Sequence, residues 1–413
     1  MNILHDMNNA RLTGRLKRLC AVAIGLVFLV AGIFKLFDPV GAGLVMEEYF
    51  RFFHIPFLIP VAKVVATVMA LLESLVGAAL ISGIWRRTVA FFTTVLVGFF
   101  TVLTLILAIA NPEMDCGCFG EVIHLSHLQT FIKNIVLLAL ALFAFYPYHD
   151  MGANKTRKDI SFAVVAVSLV AFMVFYQVNI PSVDYTAFAP GSELFAAGCT
   201  EGEGEEYSSS FIYEKNGQQG VFSLDKLPDS TWTFVRTETV HINRLDASND
   251  TPALPFADSA GVSQDEKAAY GNVLVVSVYD PAKMKGETWS NVADALEGAA
   301  EAGFVPLLLI NSTKDVIDGL ETIIPEARGK IASCTYYADR KVLLALNRSN
   351  GGASWFSDGQ LIRKFSHSDL PDTEYLLSRT GSDPTEEMLR YSTKGRLHFE
   401  GFILYASAIL LLL

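Results

Sequence analysis

Five long apolar stretches constrain this chain more than any other feature of its sequence. Each holds about 20 residues, the number that a helix needs to cross the hydrocarbon core of a bilayer. The stretches are residues 19–37, 57–83, 88–110, 128–147 and 160–178. Hydrophobic residues make up 51% of the chain and charged residues 18%, a balance typical of membrane proteins. The sequence therefore predicts a multi-pass protein embedded in a lipid bilayer.

Basic residues beside these stretches predict their orientation. Lysine and arginine are concentrated in three segments, residues 11–18, 86–87 and 155–158. Loops that stay in the cytoplasm carry an excess of these residues, and a cytoplasmic N-terminus places all three segments on that side. The loop at residues 111–127 and the segment from about residue 180 to 400 are then predicted to be exported.

Charge and motif content argue against several classes of function. The formal net charge is −11 and no lysine or arginine stripe runs through the chain, so a nucleic-acid partner is not expected. The sequence has no inverted repeat and no pair of helices broken by glycine and proline, which mark transporter sites. Phosphate-binding glycine loops and Ser-His-Asp patterns are absent as well.

The exported loop between the third and fourth stretches carries the most informative pattern. Residues 115–120 read Asp-Cys-Gly-Cys-Phe-Gly. Two thiols one residue apart can close into a strained disulfide, and strain makes a disulfide easier to exchange. The glycines permit the backbone angles that such a tight ring requires. We therefore predict Cys116 and Cys118 as the catalytic residues of thiol-disulfide exchange.

Other interpretations of this loop stay open at this point. Cys116 and Cys118 would also serve as reduced structural thiols, or as metal ligands together with His124 and His127. Two cysteines alone make a poor zinc site, so exchange is favoured and no metal is predicted. Asp115 is a supporting candidate because it could carry a proton, although its negative charge opposes formation of a neighbouring thiolate.

A family resemblance rests on four motifs of the membrane region. They are residues 32–39 (Gly-Ile-Phe-Lys-Leu-Phe-Asp-Pro), Glu73 with Gly77 and Gly83, residues 115–120, and Lys133-Asn134. In these motifs residues 15–148 resemble the DoxX-like/MauE family of four-helix bacterial membrane proteins. The resemblance implies thiol-disulfide or electron-transfer work at the exported face of a bacterial cytoplasmic membrane. Members similar to MauE are linked with maturation of a disulfide-rich methylamine dehydrogenase subunit. DoxX-like relatives are linked with a quinone-coupled thiosulfate oxidoreductase, which makes a quinone the candidate cofactor.

Polar side chains within the apolar stretches are further candidates. Glu73 lies near the middle of the second stretch, where an ionisable residue is a functional candidate by default. It would carry a proton coupled to electron flow, or form a neutral hydrogen bond between helices. Lys35, Lys133 and Asn134 are predicted to face the cysteine loop, where a cation would stabilise a thiolate. The alternative for Lys35 is that its head snorkels to the membrane interface.

The segment after the fifth stretch has the composition of a soluble domain. Residues 179–262 read as β-rich, with a hairpin around Asn216-Gly217. Residues 263–400 alternate strands and helices in a β-α-β-α-β-β order that resembles the thioredoxin-like fold. Redox-active members of that fold carry Cys-x-x-Cys after the first core strand, but here residues 279–284 read Tyr-Asp-Pro-Ala-Lys-Met. Gly351-Gly352 replaces the expected proline, so we expect a docking or shielding domain.

Cys199 and Cys334 are the two cysteines of the exported segment. They are predicted as a candidate structural disulfide, which would stabilise the domain by roughly 2–4 kcal/mol. Two buried thiols, or a relay that receives electrons from Cys116 and Cys118, are the alternatives.

The predicted fold is an all-α membrane bundle followed by an exported α/β domain. Its segments are a cytoplasmic N-terminus (1–18), a four-helix membrane domain (19–148) with a loop at 38–56, a cytoplasmic basic loop (149–159), a fifth transmembrane helix (160–178), a β-rich segment (179–262), the thioredoxin-like domain (263–400) and an apolar end (401–413). That apolar end is a candidate sixth helix, and its four final leucines suggest a shortened chain end.

Two functions remain in competition. The first is a membrane thiol-disulfide oxidoreductase component whose partner is an exported protein or a small sulfur compound. The second is a non-catalytic assembly or maturation factor that docks a client through its thioredoxin-like domain. The cysteine motif favours the first, and the missing Cys-x-x-Cys favours the second.

Overall fold

The computed structural model of this protein contains a helical N-terminal region, a small three-stranded sheet and a C-terminal α/β domain. The structure describes residues 2–112, 114, 116–123, 125–146, 156–181, 183–194, 207–215, 218–223, 233–241, 252–311, 331 and 333–412.

Six helices form the N-terminal region. They are α1 (Asn2–Phe37), α2 (Pro39–Phe52), α3 (Ala62–Ser82), α4 (Arg86–Ala110), α5 (His127–Phe145) and α6 (Thr156–Val178). Among the described residues, five segments are long and apolar enough to cross a membrane: Leu12–Phe37, Pro56–Ser82, Arg86–Ala110, His127–Phe145 and Lys158–Gln177. These segments coincide with the five apolar stretches, so the predicted spans are confirmed.

Small residues bring α1 and α3 into close contact. A Cβ atom added to Gly77 would lie 2.5 Å from the backbone nitrogen of Leu29, and one added to Gly32 would overlap the side chain of Ser74. Between helices in lipid, small residues allow the backbones to approach and gain packing contacts. This close approach places Lys35 at the end of α1 beside Glu73 of α3.

Basic side chains close one end of the bundle. Arg18 Nη1 donates to Leu80 O at 2.6 Å, Lys158 Nζ to Ser82 O at 2.5 Å, and Arg86 Nε to Gly83 O at 3.1 Å. Carbonyl groups at a helix C-terminus have no partner within the helix, and cations there complement the helix dipole. The three basic segments of the sequence therefore meet at one end of the bundle. We call the opposite end, which carries Cys116 and Cys118, the cysteine end.

The segment predicted as a loop at residues 38–56 is largely helical, and that prediction was wrong. Helix α2 begins after Asp38, whose side chain accepts a hydrogen bond from Gly41 N at 2.9 Å. Pro39 occupies the first helical position, where its missing N–H costs nothing. Ala42 and Phe50 are buried against the bundle, so α2 lies over the cysteine end.

The α/β domain is built on a six-stranded mixed sheet. Its strands are β5 (Phe256–Ala257), β6 (Asn272–Val278), β7 (Val305–Ile310), β8 (Thr335–Ala338), β9 (Gly352–Ser357) and β10 (Gln360–Phe365). Their order is β10-β9-β6-β7-β8-β5. Strands β6, β7 and β8 are parallel, whereas β9, β10 and β5 each pair antiparallel with their neighbours. Helices α7 (Gly286–Glu301), α8 (Arg340–Leu346) and α9 (Thr373–Arg379) complete the domain, with Trp289 and Trp355 fully buried in its core.

Most predicted elements of this domain are present. The predicted strands at 273–278 and 307–310 are β6 and β7, the helix at 289–302 is α7, and the hairpin around Asp358-Gly359 joins β9 to β10. Both turn residues have positive φ, 46° and 78°, as type I′ turns require. The predicted helix at 315–324 lies outside the described residues.

A separate three-stranded antiparallel sheet precedes this domain in the sequence. Its strands are β2 (Tyr207–Lys215), β3 (Gln218–Ser223) and β4 (Thr233–His241), in the order β3-β2-β4. Strands β2 and β3 pair from Lys215 and Gln218 outward, which confirms the predicted hairpin. The two connecting residues lie outside the described ones.

The C-terminal apolar segment belongs to a long helix, α10 (Pro384–Leu412). Its last turns pack against α6 and the end of α1. The Phe402 ring lies 5.8 Å from that of Phe37, and the Tyr405 hydroxyl is 2.5 Å from Ser168 Oγ. Helix α10 is not among the five candidate spans of the described residues, but it packs alongside one of them.

Among the described residues, three ion pairs also join the α/β domain to the membrane region. Arg340 of α8 forms two bonds with the Glu47 carboxylate, at 2.6 and 2.9 Å, and Lys341 contacts Glu48 at 2.9 Å. Arg348 contacts Asp38 at 2.9 Å, with 6% and 11% of the two side chains exposed. We call these six residues the docking interface. It joins α8 and the residues after it to α2 and its cap.

Candidate thiol site and adjoining cavity

Cys116 and His127 form a close pair at the cysteine end. The Sγ atom of Cys116 lies 2.8 Å from Nδ1 of His127, and 5% of Cys116 is exposed. His127 is the first residue of α5, whose start is fixed by a reciprocal capping box between Ser126 and Gln129. This cap fixes where the imidazole stands relative to the loop.

The second ring nitrogen of His127 determines how the pair can share a proton. Nε2 is 2.9 Å from Pro112 O. A backbone carbonyl can only accept, so Nε2 carries a hydrogen in this arrangement. Nδ1 is then free to accept the proton of the Cys116 thiol, or to hold that proton opposite a thiolate. A thiol placed against a base in this way is an activated nucleophile.

The backbone of the cysteine loop is held by α2. The Tyr49 hydroxyl donates to Cys116 O at 3.0 Å, and burial raises the pKa of this phenol above its usual value, which keeps it a donor. Gly117 has a φ of 56°, and a Cβ atom there would overlap the side chain of Val45. The loop therefore needs glycine between its cysteines for both conformation and space.

A buried ion pair lies deeper in the bundle. Lys35 Nζ contacts the two carboxylate oxygens of Glu73 at 2.9 and 2.7 Å, with 16% and 5% of the side chains exposed. Glu73 is therefore paired with a cation and not with a neutral hydrogen-bond donor. The head of Lys35 is directed to Glu73, while its Cα lies 3.8 Å from the position of a Cβ on Gly120. The pair lies between the cysteine loop and the interior of the bundle.

Helix α5 contributes two further polar side chains. Asn134 donates to Thr104 Oγ1 at 3.1 Å and to Phe100 O at 3.3 Å, which joins α5 to α4. Lys133 Nζ lies 4.9 Å from the ring centroid of Phe119, the residue after Cys118. This cation–π contact brings a positive charge beside the cysteine loop.

These groups surround one cavity of about 380 Å³. Its walls come from α1 to α5 and are mainly apolar, for example Phe28, Phe50, Met69, Phe100 and Leu137. Cys116, Gly117 and Cys118 form part of its lining. The cavity therefore joins the thiols to an apolar space within the bundle.

Six residues predicted from the sequence line this cavity: Cys116, Cys118, Lys35, Glu73, Lys133 and Asn134. Asp115 lies outside the described residues. Tyr49 was not predicted, and His127 was considered only as a metal ligand. The sequence signal that pointed to His127 was its position just after the cysteine loop, at the start of a span. The part of the chain that the structure describes holds no group of three or more His, Cys, Asp and Glu suited to a metal ion.

Cys334 lies in the α/β domain, away from this cavity. Its Sγ donates to Ile331 O at 3.4 Å, and it is buried in the core. Cys199 lies outside the described residues, so the pairing of these two cysteines stays a prediction.

In the reduced protein we expect Cys334 to resist alkylation. Burial raises the pKa of its thiol to about 11, so roughly one thiol in a thousand is ionised at pH 8, and the thiolate is the reactive form. Iodoacetamide labelling with peptide mass readout should be slow at pH 8, rise about tenfold per pH unit towards pH 10, and become fast in urea. Rapid labelling of the folded, reduced protein at pH 8 would contradict this. Omitting the reductant tests the predicted disulfide, which would block labelling even in urea.

Comparison with known proteins covers two parts of the chain. Residues 13–147 match a family model described as methylamine utilisation protein MauE. Residues 207–244 match a model described as a domain of unknown function (DUF8463). No curated protein and no solved structure matches the chain. The first match contains every cavity-lining residue named above. In its helical region, residues 13–147, this chain is therefore similar to MauE, and a mixed α/β domain of unassigned family follows.

Proposed function

We propose that Cys116 and Cys118 perform thiol-disulfide exchange at the exported face of a bacterial cytoplasmic membrane. The contact of 2.8 Å between Cys116 Sγ and His127 Nδ1 carries this proposal. A structural thiol needs no base beside it, whereas an exchanging thiol must become a thiolate to attack a disulfide. The imidazole supplies the acceptor for that proton.

The orientation follows from the distribution of charge. Arg18, Arg86 and Lys158 meet at the end of the bundle opposite the cysteines. Since basic residues are enriched on the cytoplasmic side, we place the cysteine end and the α/β domain outside the cytoplasm. In bacteria that compartment favours disulfide chemistry.

The cavity supports a quinone as the electron partner. Its apolar walls suit a hydrophobic ring, and the ammonium groups of Lys35 and Lys133 at its lining can donate to carbonyl oxygens. A bound quinone would supply the capacity to take up two electrons and two protons. Cys116 and Cys118 lie at the wall of the same cavity. The thiols and a quinone bound there would therefore meet without crossing the bilayer.

The α/β domain is proposed to be thioredoxin-like without a redox centre. Its strand order β10-β9-β6-β7, with α7 between the parallel strands β6 and β7, is that of the minimal thioredoxin-like sheet. After β6, where a redox-active domain carries its thiols, Tyr279 donates to Arg348 O at 3.2 Å and Asp280 contacts Lys283 at 2.8 Å. Gly351, with a φ of 82°, stands where the proline is expected.

A second function is favoured by these same residues. If the α/β domain holds a client without exchanging thiols, the protein is an assembly or maturation factor. The polar groups after β6 would then be contacts for the client. The oxidation state of Cys116 and Cys118 separates the two functions, because a scaffold has no need of a pair that cycles.

We expect the pair to change oxidation state in native membranes. Thiols are alkylated before and after treatment with a reductant, and in a separate sample after treatment with a water-soluble quinone. The masses of the peptides that contain Cys116 and Cys118 are then measured. Both cysteines should become alkylated after reduction and be protected after quinone treatment. Cys116→Ser/Cys118→Ser should abolish this response, whereas Cys20→Ser, a matched change in α1 outside the cavity lining, should leave it intact. A pair that stays reduced under every treatment would overturn the proposal and favour the scaffold.

A further inference from the structure

We infer that the two cysteines have different roles: Cys118 exchanges with the external sulfur compound, and Cys116 resolves the mixed disulfide with His127 as its proton acceptor. This inference rests on the proposed function. It assigns an order of events that the sequence of the motif, with its two equivalent cysteines, does not contain.

Exposure distinguishes the two thiols. Cys116 is buried, and its carbonyl is covered by Tyr49. Cys118 is partly exposed at the start of strand β1 (Cys118–Glu121). The attacking thiolate must line up with the S–S bond that it breaks, so the external disulfide needs free space at that sulfur. Access therefore favours Cys118. The buried thiol is left to react only with its neighbour in the loop.

The position of the base distinguishes them as well. Nδ1 of His127 contacts Cys116, the less accessible thiol. A base is of most use to the thiol that must ionise within the site, because an exposed thiol can lose its proton to water. The structure thus places the proton acceptor beside the resolving thiol.

The proposed steps conserve atoms and electrons. The Cys118 thiolate attacks an external disulfide R–S–S–R, the S–S bond breaks, and one R–S⁻ leaves as a Cys118–S–S–R bond forms. Cys116 then gives its proton to Nδ1 of His127, its thiolate attacks Sγ of Cys118, and the second R–S⁻ leaves. That thiolate takes the proton from Nδ1. The dithiol pair has lost two electrons to the external disulfide, and the reverse sequence oxidises an external dithiol.

Other ionisable groups lie around the same cavity. Among the described residues that line the cavity with Cys116, they are Tyr49 of α2, Lys35 of α1, Glu73 of α3 and Lys133 of α5, with Cys118 in the loop itself. Lys35 and Glu73 neutralise one another, and burial keeps the Tyr49 phenol protonated. His127 is therefore the group that both contacts Cys116 Sγ and can take up its proton in the resolving step.

Single-cysteine variants of the full chain in membranes test the two roles, with glutathione disulfide as the probe. Cys116→Ser should accumulate a stable glutathione adduct on Cys118, because nothing resolves it. In Cys118→Ser the adduct should form on Cys116 at a rate at least about tenfold lower. The unmodified protein should form no lasting adduct and end as the internal disulfide. Equal rates of adduct formation on the two cysteines would overturn the role assignment.

His127→Asn tests the base. Asparagine can still form a hydrogen bond near the position of Nδ1 but cannot take up a proton, so a purely structural role would survive the change. We expect release of glutathione from Cys118 to slow about 100-fold at pH 7 and to become proportional to hydroxide concentration. His54→Asn, the same change at an exposed residue whose φ of 56° asparagine readily adopts, is the control. An unchanged rate and pH profile in His127→Asn would refute the role of the base. Absence of any adduct or internal disulfide in the unmodified protein would instead refute the proposed function itself.

Discussion

Replacing Asp38 with alanine is expected to release the α/β domain from the membrane region. Asp38 is the buried partner of Arg348, at 2.9 Å. Removing one member of a buried ion pair leaves the other charge without a partner, which costs about 3–5 kcal/mol. Separation of the docking interface relieves that cost, because water can then reach Arg348. The equilibrium constant for docking should fall by roughly two orders of magnitude or more, at about 1.4 kcal/mol per tenfold change.

The Lys341–Glu48 pair offers a direct measure of docking. Its atoms are 2.9 Å apart and 75% of the lysine side chain is exposed, so a carbodiimide should join them by an amide bond. We expect this crosslink, measured by peptide mass, to be lost in Asp38→Ala. Asp38→Asn keeps the cap on Gly41 and should lose less.

An exposed ion pair provides the matched control for this experiment. Glu386 and Arg390 are 3.7 Å apart with 73% and 63% of their side chains exposed, and exposed pairs contribute about 0–1 kcal/mol. Glu386→Ala should therefore leave the crosslink unchanged. An undiminished crosslink in Asp38→Ala would show that the buried pair does not hold the domain in place.

Removing Glu73 alone is expected to destabilise the helical bundle strongly. In Glu73→Leu the Lys35 ammonium would remain among apolar cavity walls without its carboxylate, again a cost of about 3–5 kcal/mol. Replacing both residues, as in Lys35→Met/Glu73→Leu, should recover most of this loss, because an apolar pair of similar volume needs no partner. The temperature at which half of the detergent-solubilised protein stays soluble should fall in each single variant and return towards the original value in the double variant.

A double-mutant cycle separates the ion pair from the packing of its side chains. Arg396→Met, which breaks an exposed pair with Glu400, is the control and should shift the temperature little. If the double variant is as unstable as the singles, the contribution of the pair is packing and not charge. A stable double variant that no longer responds to quinone would show that Glu73 or Lys35 acts in the reaction as well as in folding.

The membrane helices were the most predictable part of this fold. An apolar run of about 20 residues has few structures open to it, because in lipid every backbone hydrogen bond must be made within the segment. The strands β6 and β7 were predictable for a similar reason, since a short apolar run between turn residues suits a buried strand. The positive φ of Gly117 was predictable from the pattern around Cys116 and Cys118, because it is a local property of the chain.

Contacts between distant segments were not predictable. Asp38 and Arg348 are separated by 310 positions, and no local pattern in either segment names the other. Helix α2 was missed because it follows α1 after a single non-helical residue and because its polar Glu47 and Glu48 resemble a loop. These glutamates point away from the helical bundle, and the α/β domain covers them. His127 was underestimated for the same reason, since its contact with Cys116 depends on how the loop folds back over the start of α5.

The two sides of α2 are in contact with different parts of the protein, and this has a thermodynamic consequence. Glu47 and Glu48 bind the α/β domain, while Val45 and Tyr49 touch the cysteine loop. A single helix of 14 residues therefore belongs to two equilibria. Thermodynamic linkage requires that the free energy by which disulfide formation changes docking equals the free energy by which docking changes disulfide formation. If closing the disulfide moves the loop away from Tyr49 and weakens docking, then a protein that pulls the α/β domain away must make the disulfide easier to form by the same free energy.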